Sequence, residues 1–335
     1  MTRIPVSIIT GFLGAGKTTF LNRLLDGGSL DGAALIINEF GDIGIDHLLV
    51  ERVDESIVEL SGGCLCCAMR GDLADTLTKL LERPSRPDRV IIETTGLADP
   101  APIAGTIVAH PVCQTYFELE AIIALVSAGK GEAILKEHGE ARQQIALSDR
   151  ILLTKTDIAA PQQNLPEALA SLNPSAPIHD VNSVSKPPTV WLQADRGSGL
   201  QLDGRSAIRN HTHAQSVGSV SLTAQHPLHR ADLDIFLHGI VMRWGNDLLR
   251  VKGLVQLVDE AGPLVVQGVG TVFEQPYALQ QWPDQSRKTR LVVIARNLDE
   301  RAVRDLFSSL CRTPRPDTAD RQALTQNPLA PTGFF

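Results

Sequence analysis

Gly11-Phe12-Leu13-Gly14-Ala15-Gly16-Lys17-Thr18 fills every fixed position of the pattern G-x-x-x-x-G-K-[ST]. Just upstream, Val6-Ser7-Ile8-Ile9 within residues 4–10 is a buried-strand run. Just downstream, Thr18-Thr19-Phe20-Leu21-Asn22-Arg23-Leu24-Leu25 reads as a helix ended by Gly27-Gly28. Strand, glycine loop and helix in this order aim successive backbone N–H groups and the positive helix end at a triphosphate. Lys17 then reaches the β and γ oxygens and Thr18 ligates Mg²⁺. The expectation is a nucleotide-binding α/β domain whose loop, Gly11, Gly14, Ala15, Gly16, Lys17 and Thr18, cradles the phosphates.

Composition sets the bounds around this loop. A chain of 335 residues is long for one compact core, so two domains are expected. The formal net charge of −7 argues against a general nucleic-acid surface. There is no apolar run of about eighteen residues and no charged-then-apolar leader, so the chain is expected to be neither membrane-spanning nor secreted. Of five cysteines, Cys64, Cys66 and Cys67 lie close together while Cys113 and Cys311 stand alone. Such an odd, clustered set fits a reducing cytoplasm and thiolate chemistry better than a disulfide framework.

Along the chain, residues 33–37 form a second strand-like run that leads straight into Asn38-Glu39-Phe40-Gly41-Asp42-Ile43-Gly44-Ile45-Asp46. Polar and acidic groups at the C-terminal end of a parallel strand lie where ligands bind in such sheets, so this stretch could be a switch; its turn-forming residues equally compose an ordinary surface loop. After a short strand over 56–60 comes Ser61-Gly62-Gly63-Cys64-Leu65-Cys66-Cys67. Three thiols this close supply three soft ligands for Zn²⁺ or Cu⁺, and a further ligand would come from elsewhere. Buried, inert cysteines or a redox pair remain the alternatives. From Gly71 a helix carries Leu73, Leu77, Leu80 and Leu81 at core spacing. Residues 89–96 are then a buried strand ending in Glu93, with Gly96 three residues later. In phosphate-loop enzymes an acid at this strand end holds Mg²⁺ or its water, and a glycine N–H there senses the γ-phosphate. Helices are expected over 101–109 and 131–146, with a strand over 121–126 between them. This alternation predicts a mostly parallel sheet flanked by helices.

The strand Ile151-Leu152-Leu153 delivers Thr154-Lys155-Thr156-Asp157. A carboxylate in a base pocket accepts two hydrogen bonds from guanine N1–H and its 2-amino group, whereas adenine offers an acceptor at N1 and no 2-amino donor. Asp157 therefore favours GTP, with the Lys155 stem over the base. A helix over 161–172 follows. The first domain is expected to span 1–190, a linker 191–214, a small α+β domain 215–312 and a poorly ordered, proline-rich tail 313–335. In the second unit Val217 to Leu222, Leu248 to Val258, Leu264 to Phe273 and Leu291 to Ala295 read as strands, that over 248–258 as half-buried. Helices fall around Leu233 to Ile240 and Glu300 to Leu310. His211 and His213 would share one face of a strand, with His226 and His229 beyond, as a metal-entry patch or as solvated side chains. His110 is a further candidate metal ligand.

In this order T-G-F-L-G-A-G-K-T-T, N-E-F-G, G-G-C-L-C-C, E-T-T-G-L-A-D-P and T-K-T-D resemble the CobW-like GTPases, a metallochaperone family of the phosphate-loop class. The resemblance extends through Leu249-Arg250-Val251-Lys252-Gly253 and Trp282-Pro283, and so covers nearly the whole chain. It implies GTP hydrolysis with Mg²⁺, zinc or a related ion at Cys64, Cys66 and Cys67, and a client metalloprotein as partner. By this likeness Thr19 joins the phosphate cradle, Glu39 and Asp46 belong to the first switch, and Glu93 and Gly96 to the second. Asp46 then joins Thr18 and Glu93 around Mg²⁺, Glu39 is a further candidate zinc ligand, and Thr154, Lys155 and Asp157 read the base. Thr154 departs from the N-K-x-D form of the guanine motif, which reduces that side-chain contact. The long His-rich linker of some relatives is absent. A nucleotide- or metal-dependent oligomer is compatible with this reading. A nucleotide-switched adaptor with little turnover, and an ATP-dependent kinase with structural cysteines, are the competing readings.

Overall fold

The computed structural model describes residues 3–26, 30, 32–37, 57–59, 69–182, 188–193 and 217–311. Glu39, Asp46, Cys64, Cys66, Cys67, His211, His213 and the 313–335 tail lie outside the described residues, as does most of the expected linker.

The first unit is built on a parallel sheet. Its described strands are β1 (Ile4–Thr10), β2 (Ala33–Ile37), β3 (Ile57–Glu59), β4 (Arg89–Glu93), β5 (Phe117–Ser127), β6 (Arg150–Thr154) and β7 (Ile178–Asp180), in the order β3-β2-β4-β1-β5-β6-β7. All the strand pairs are parallel. Strands covered on both faces need continuous apolar runs, which is what Ile8-Ile9, Leu35-Ile36-Ile37 and Ile151-Leu152-Leu153 supply. The connecting helices are α1 (Lys17–Asp26), α2 (Met69–Leu81), α3 (Ala101–Ala109), α4 (Pro111–Tyr116), α5 (Gly131–Glu137), α6 (Gly139–Leu147) and α7 (Leu165–Leu172). Among the described residues no helix is long and apolar enough to cross a membrane.

Three expectations about this unit need correction. The helix expected over 131–146 is two helices, because His138 is extended, with φ −116° and ψ 120°, and the break lays its ring on Phe12. The strand expected from Ala121 starts at Phe117, with a register shift against β1 between Val6 and Ser7. The unit also runs past residue 190. Trp191 and Leu192 are buried against the core of α1 and the sheet, the Ser7 hydroxyl donates to Leu192 O at 2.9 Å, and Arg150 lies over the Trp191 ring. These two residues are core and not linker.

The second unit is an antiparallel sheet of β8 (Val217–Ala224), β9 (Leu248–Val255), β10 (Leu264–Val269), β11 (Val272–Phe273), β12 (Tyr277–Ala278) and β13 (Thr289–Arg296), with α8 (Arg230–Trp244) and α9 (Glu300–Cys311). Its order is β11-β10-β9-β13-β8, with β12 on β10. Alternation along β13 shows how it is used. Leu291, Val293 and Ala295 join the core under α8 and α9, where Phe236 and Phe307 meet edge to face, while Val292 and Ile294 enter the core of the first unit beside Ile8, Phe117 and Ile122. β9, expected to be half-buried, is buried at all eight positions because both of its faces are covered.

That double burial places charges inside. Arg250 and Lys252 of β9 both point at Asp149, just before β6, and the Lys252 ammonium lies 3.2 Å from Asp149 Oδ1 while Arg250 pairs with the same oxygen. Ile122 N–H donates to Asp149 Oδ2 at 3.0 Å. Burial by itself would raise the Asp149 pKa, but the two cations and the hydrogen bonds outweigh it and hold the carboxyl below the usual carboxylate range. Asp149→Ala leaves two buried cations uncompensated and should destabilise the chain by about 3–5 kcal/mol in denaturant unfolding. Because the folded-state pKa lies below the unfolded one, the stabilisation is complete above about pH 4 and is lost as pH falls through the folded value. A difference between parent and variant that shrinks on acidification is the expected result.

Candidate nucleotide and metal site

β1 is where the sheet changes direction. The chain leaving β1 builds β2 and β3 on one side, returns through β4 beside β1, then crosses to β5, β6 and β7 on the other. A ligand crevice opens above the C-terminal end of such a strand, and the glycine loop sits there.

The loop takes conformations that a side chain would hinder. Gly11, Gly14 and Gly16 have φ of 145°, 72° and 92°, and a Cβ on Gly11 would lie 2.5 Å from Leu125 O. Ala15 N–H closes a turn on Phe12 O at 3.0 Å, and the Lys17 ammonium folds back to Gly11 O at 3.0 Å. Lys17 opens α1, so Thr18 and Thr19 stand in its first turn, where free N–H groups and the helix dipole favour an anion.

β4 brings the second group. Glu93 is 4% exposed and in register with Ile9 of β1 and Ile37 of β2. The next residue is tied to β1, Thr94 N–H to Ile9 O and the Thr94 hydroxyl to Thr10 Oγ1, both at 2.9 Å. The chain then turns so closely over the glycine loop that a Cβ on Gly96 would stand 2.7 Å from Leu13 N and 2.8 Å from Leu13 Cα. Only glycine permits that approach. Glu93 and Gly96 thus stand at the same sheet edge as the glycine loop.

β6 brings the third. Thr154, buried at the strand end, donates its hydroxyl to Ala15 O at 2.6 Å, so the residue that departs from the N-K-x-D pattern braces the glycine loop. Lys155 has φ 59°, a left-handed conformation that costs a non-glycine residue on the order of 1–2 kcal/mol, and its ammonium donates to Gly14 O at 2.8 Å. Asp157 is exposed and accepts from the Asn182 amide at 3.2 Å. Asn182 also donates to Thr156 Oγ1 and receives Arg23 of α1, while Thr156 donates to Asp180. Sequence reasoning missed Asn182; the available signal was a polar run, Asp180-Val181-Asn182, at the end of the strand next to the T-K-T-D strand. It also missed His138, whose ring stacks on Phe12 with centroids 4.3 Å apart.

The other expected site residues that are described do not gather here. The segment bearing Cys64, Cys66 and Cys67 lies outside the described residues, but its flanks do not: it runs from the end of β3 to the start of α2. Glu59, the last residue of β3, is level with Ile37 and hence with Glu93, so β3 ends at the same sheet edge as the glycine loop. His110 does not reach that edge. It follows α3, which returns the chain from the C-terminal to the N-terminal edge, where Phe117 pairs with Ile4, and its buried Nδ1 has no hydrogen-bond partner among the described residues. His226 is exposed and His229 precedes α8 in the second unit. Among the described residues no three His, Cys, Asp or Glu side chains gather to hold a metal ion.

The geometry has clear relatives. Residues 5–180 match the CobW/HypB/UreG nucleotide-binding domain, and residues 217–311 the cobalamin synthesis protein cobW C-terminal domain. The zinc chaperone YjiA of Escherichia coli is 32% identical over 321 residues, covering 92% of this chain and 99% of that protein. A zinc chaperone CobW from a Sinorhizobium species is 31% identical, covering 92% and 97%. The crystal structure of Zn(II)-bound YjiA GTPase from E. coli superposes with a TM-score of 0.68 at 26% identity, over 92% of this chain and 99% of that one. Thr154→Val keeps the shape of Thr154 but leaves Ala15 O without its donor. It is expected to weaken nucleoside diphosphate binding about tenfold, roughly 1.4 kcal/mol, in a fluorescence titration, with an unchanged circular dichroism spectrum.

Proposed function

The chain belongs to the CobW family of phosphate-loop GTPases, and from that premise we propose that it couples GTP binding and hydrolysis to delivery of a metal ion, zinc foremost, to a client metalloprotein. The observation that carries this reading is the convergence of three loops, from β1, β4 and β6, on the sheet edge at which β3, the strand that precedes the thiols in the chain, also ends.

In this reading Gly11, Gly14, Ala15, Gly16 and Thr19 hold the phosphates through backbone N–H groups, and Lys17 swings from Gly11 O to the β and γ oxygens. The donor set suits a hard divalent cation: a hydroxyl on Thr18 at the helix start and a buried carboxylate on Glu93 at the end of β4, with Asp46 as a further oxygen ligand. When bound, Mg²⁺ neutralises charge on the phosphate oxygens as the γ-phosphoryl leaves. Gly96 offers its N–H to the γ-phosphate, so the segment after β4 distinguishes GTP from GDP. Thr154 supports the loop, Lys155 covers the base, and Asp157, oriented by Asn182, accepts from guanine N1–H and the 2-amino group.

Zinc is cargo, held by Cys64, Cys66 and Cys67, with Glu39 as a candidate fourth ligand; three thiolates suit Zn²⁺. Two strand spacings, roughly 10 Å, separate the backbone of Glu59 from that of Glu93, so a γ-phosphate acts close to where the thiol segment begins. Coupling between the sites is reciprocal by linkage: if GTP tightens zinc binding, zinc tightens GTP binding by the same factor. Hydrolysis then lowers metal affinity and hands the ion to the client.

A zinc titration against a chromophoric chelator tests this directly, with no nucleotide, with Mg²⁺·GDP and with Mg²⁺ and a non-hydrolysable GTP analogue. One tight site is expected, weakened at least tenfold by Cys66→Ala and changed by the γ-phosphate; equal zinc affinity in all three nucleotide states would end the delivery reading. Base choice has its own test. Asp157→Asn replaces an acceptor by a donor, so preference should move from GTP toward xanthosine triphosphate, whose C2 carries an acceptor oxygen.

A further inference from the structure

Gln144 lies in the middle of α6 and is 1% exposed. Its amide nitrogen donates to two carbonyls of the segment after β4, Gly96 O at 3.1 Å and Ala98 O at 3.0 Å, while its Oε1 is buried with no hydrogen-bond partner among the described residues. A leucine or methionine would fill the same space without leaving an acceptor unpaired. What the amide adds is the pair of donor bonds, both into the segment whose Gly96 presses on the glycine loop.

The segment is therefore pinned at two ends. Thr94 ties it to β1 and Gln144 ties Gly96 and Ala98 to α6, so the Gly96 peptide is held against Leu13. α6 is anchored in turn. His138, at its start, stacks on Phe12 of the glycine loop, Gln143 accepts from Arg296 of β13 at 2.5 Å, and Asp149, two residues beyond its end, holds Arg250 and Lys252.

We propose that Gln144 is a positioning residue for GTP hydrolysis: by holding the Gly96 carbonyl it fixes the residue whose N–H faces the γ-phosphate, and through α6 it links that segment to the second domain. The proposal rests on the GTPase reading above. Because GDP lacks the γ-phosphate, loss of this orientation acts on GTP and its turnover and spares GDP affinity. A side chain that only fills the core would do neither selectively.

Gln144→Met and Gln144→Asn test it, the first removing the donors and the second withdrawing them by one methylene. The expected result is a fall in kcat of about tenfold and weaker binding of a non-hydrolysable GTP analogue, with GDP affinity within twofold of the parent. An unchanged ratio of analogue to GDP affinity together with unchanged kcat would overturn the proposal. Gln143→Ala, which removes one of the Arg296 acceptors but leaves Gly96 bound, should keep that ratio. On the parent chain, hydrogen exchange should slow together in peptides spanning 94–98 and 139–147 when the analogue replaces GDP; a response confined to 94–98 would also overturn it. If the parent neither binds nor hydrolyses GTP, the GTPase reading fails. If the parent does both and the variants match it, only the role of Gln144 fails.

Discussion

Above the end of β1, main chain has to pass within van der Waals contact of main chain. A phosphate cradle made of backbone N–H groups works only if neighbouring loops close around it without side chains intervening, and here Gly11 lies against Leu125 O and Gly96 against Leu13 N. The parallel sheet exists to permit this. With every strand running the same way, β1, β4 and β6 all discharge their loops at one edge, and the buried hydrogen bonds from Thr94 to Thr10 and from Thr154 to Ala15 fix the spacing between them. In this low-dielectric floor an unpaired hydroxyl is costly, and Thr94 and Thr154 each meet a partner that also serves the site.

The opposite side of the molecule shows a second dependence. The first unit does not finish its own core: Ile8, Ile92, Phe117 and Ile122 share a buried cluster with Leu249, Val265, Val292 and Ile294 of the antiparallel sheet. Such a joint behaves as interior and not as a hinge, since apolar side chains interdigitate across it and Asp149 meets two cations from β9 inside it. The second unit is thereby held in fixed register with α6, the helix that also reaches the Gly96 segment. Movement at the nucleotide edge has a short mechanical route to it.

Much of this was legible in the linear chain. β1, β2 and α3 lie at their expected residues because each is a short apolar run or a proline-led helical stretch whose preference agrees with its place in the fold. The phosphate loop was legible because its chemistry demands glycine at particular spacings. The break at His138 was outweighed by the helix-forming residues on either side: its local sign was Gly139, a helix-ending residue, and the Phe12 ring that meets His138 comes from far away in the chain. Trp191 and Leu192 looked like linker beside glycine, serine and aspartate; their burial depends on Ser7 and Arg150, more than forty positions earlier in the chain. For Arg250 and Lys252, alternation along a strand predicts a solvated face, and tertiary packing turned that face inward toward a carboxylate that lies about a hundred positions away.

What the sequence by itself determined is therefore local and chemical: a glycine loop between strand and helix, an acid and a glycine at the end of one strand, T-K-T-D at the end of another, and three thiols close together in the chain. These depend on residue type and short spacing, which the chain displays directly. What only the tertiary structure decided is which distant groups complete them: Thr154 as the brace of the glycine loop, Asn182 beside Asp157, Gln144 beneath Gly96, and His110 sent to the far edge of the sheet. Each of those is a pairing between segments far apart in the chain, set by strand order and helix packing, and a single sequence carries no term for such distances until the sheet has formed.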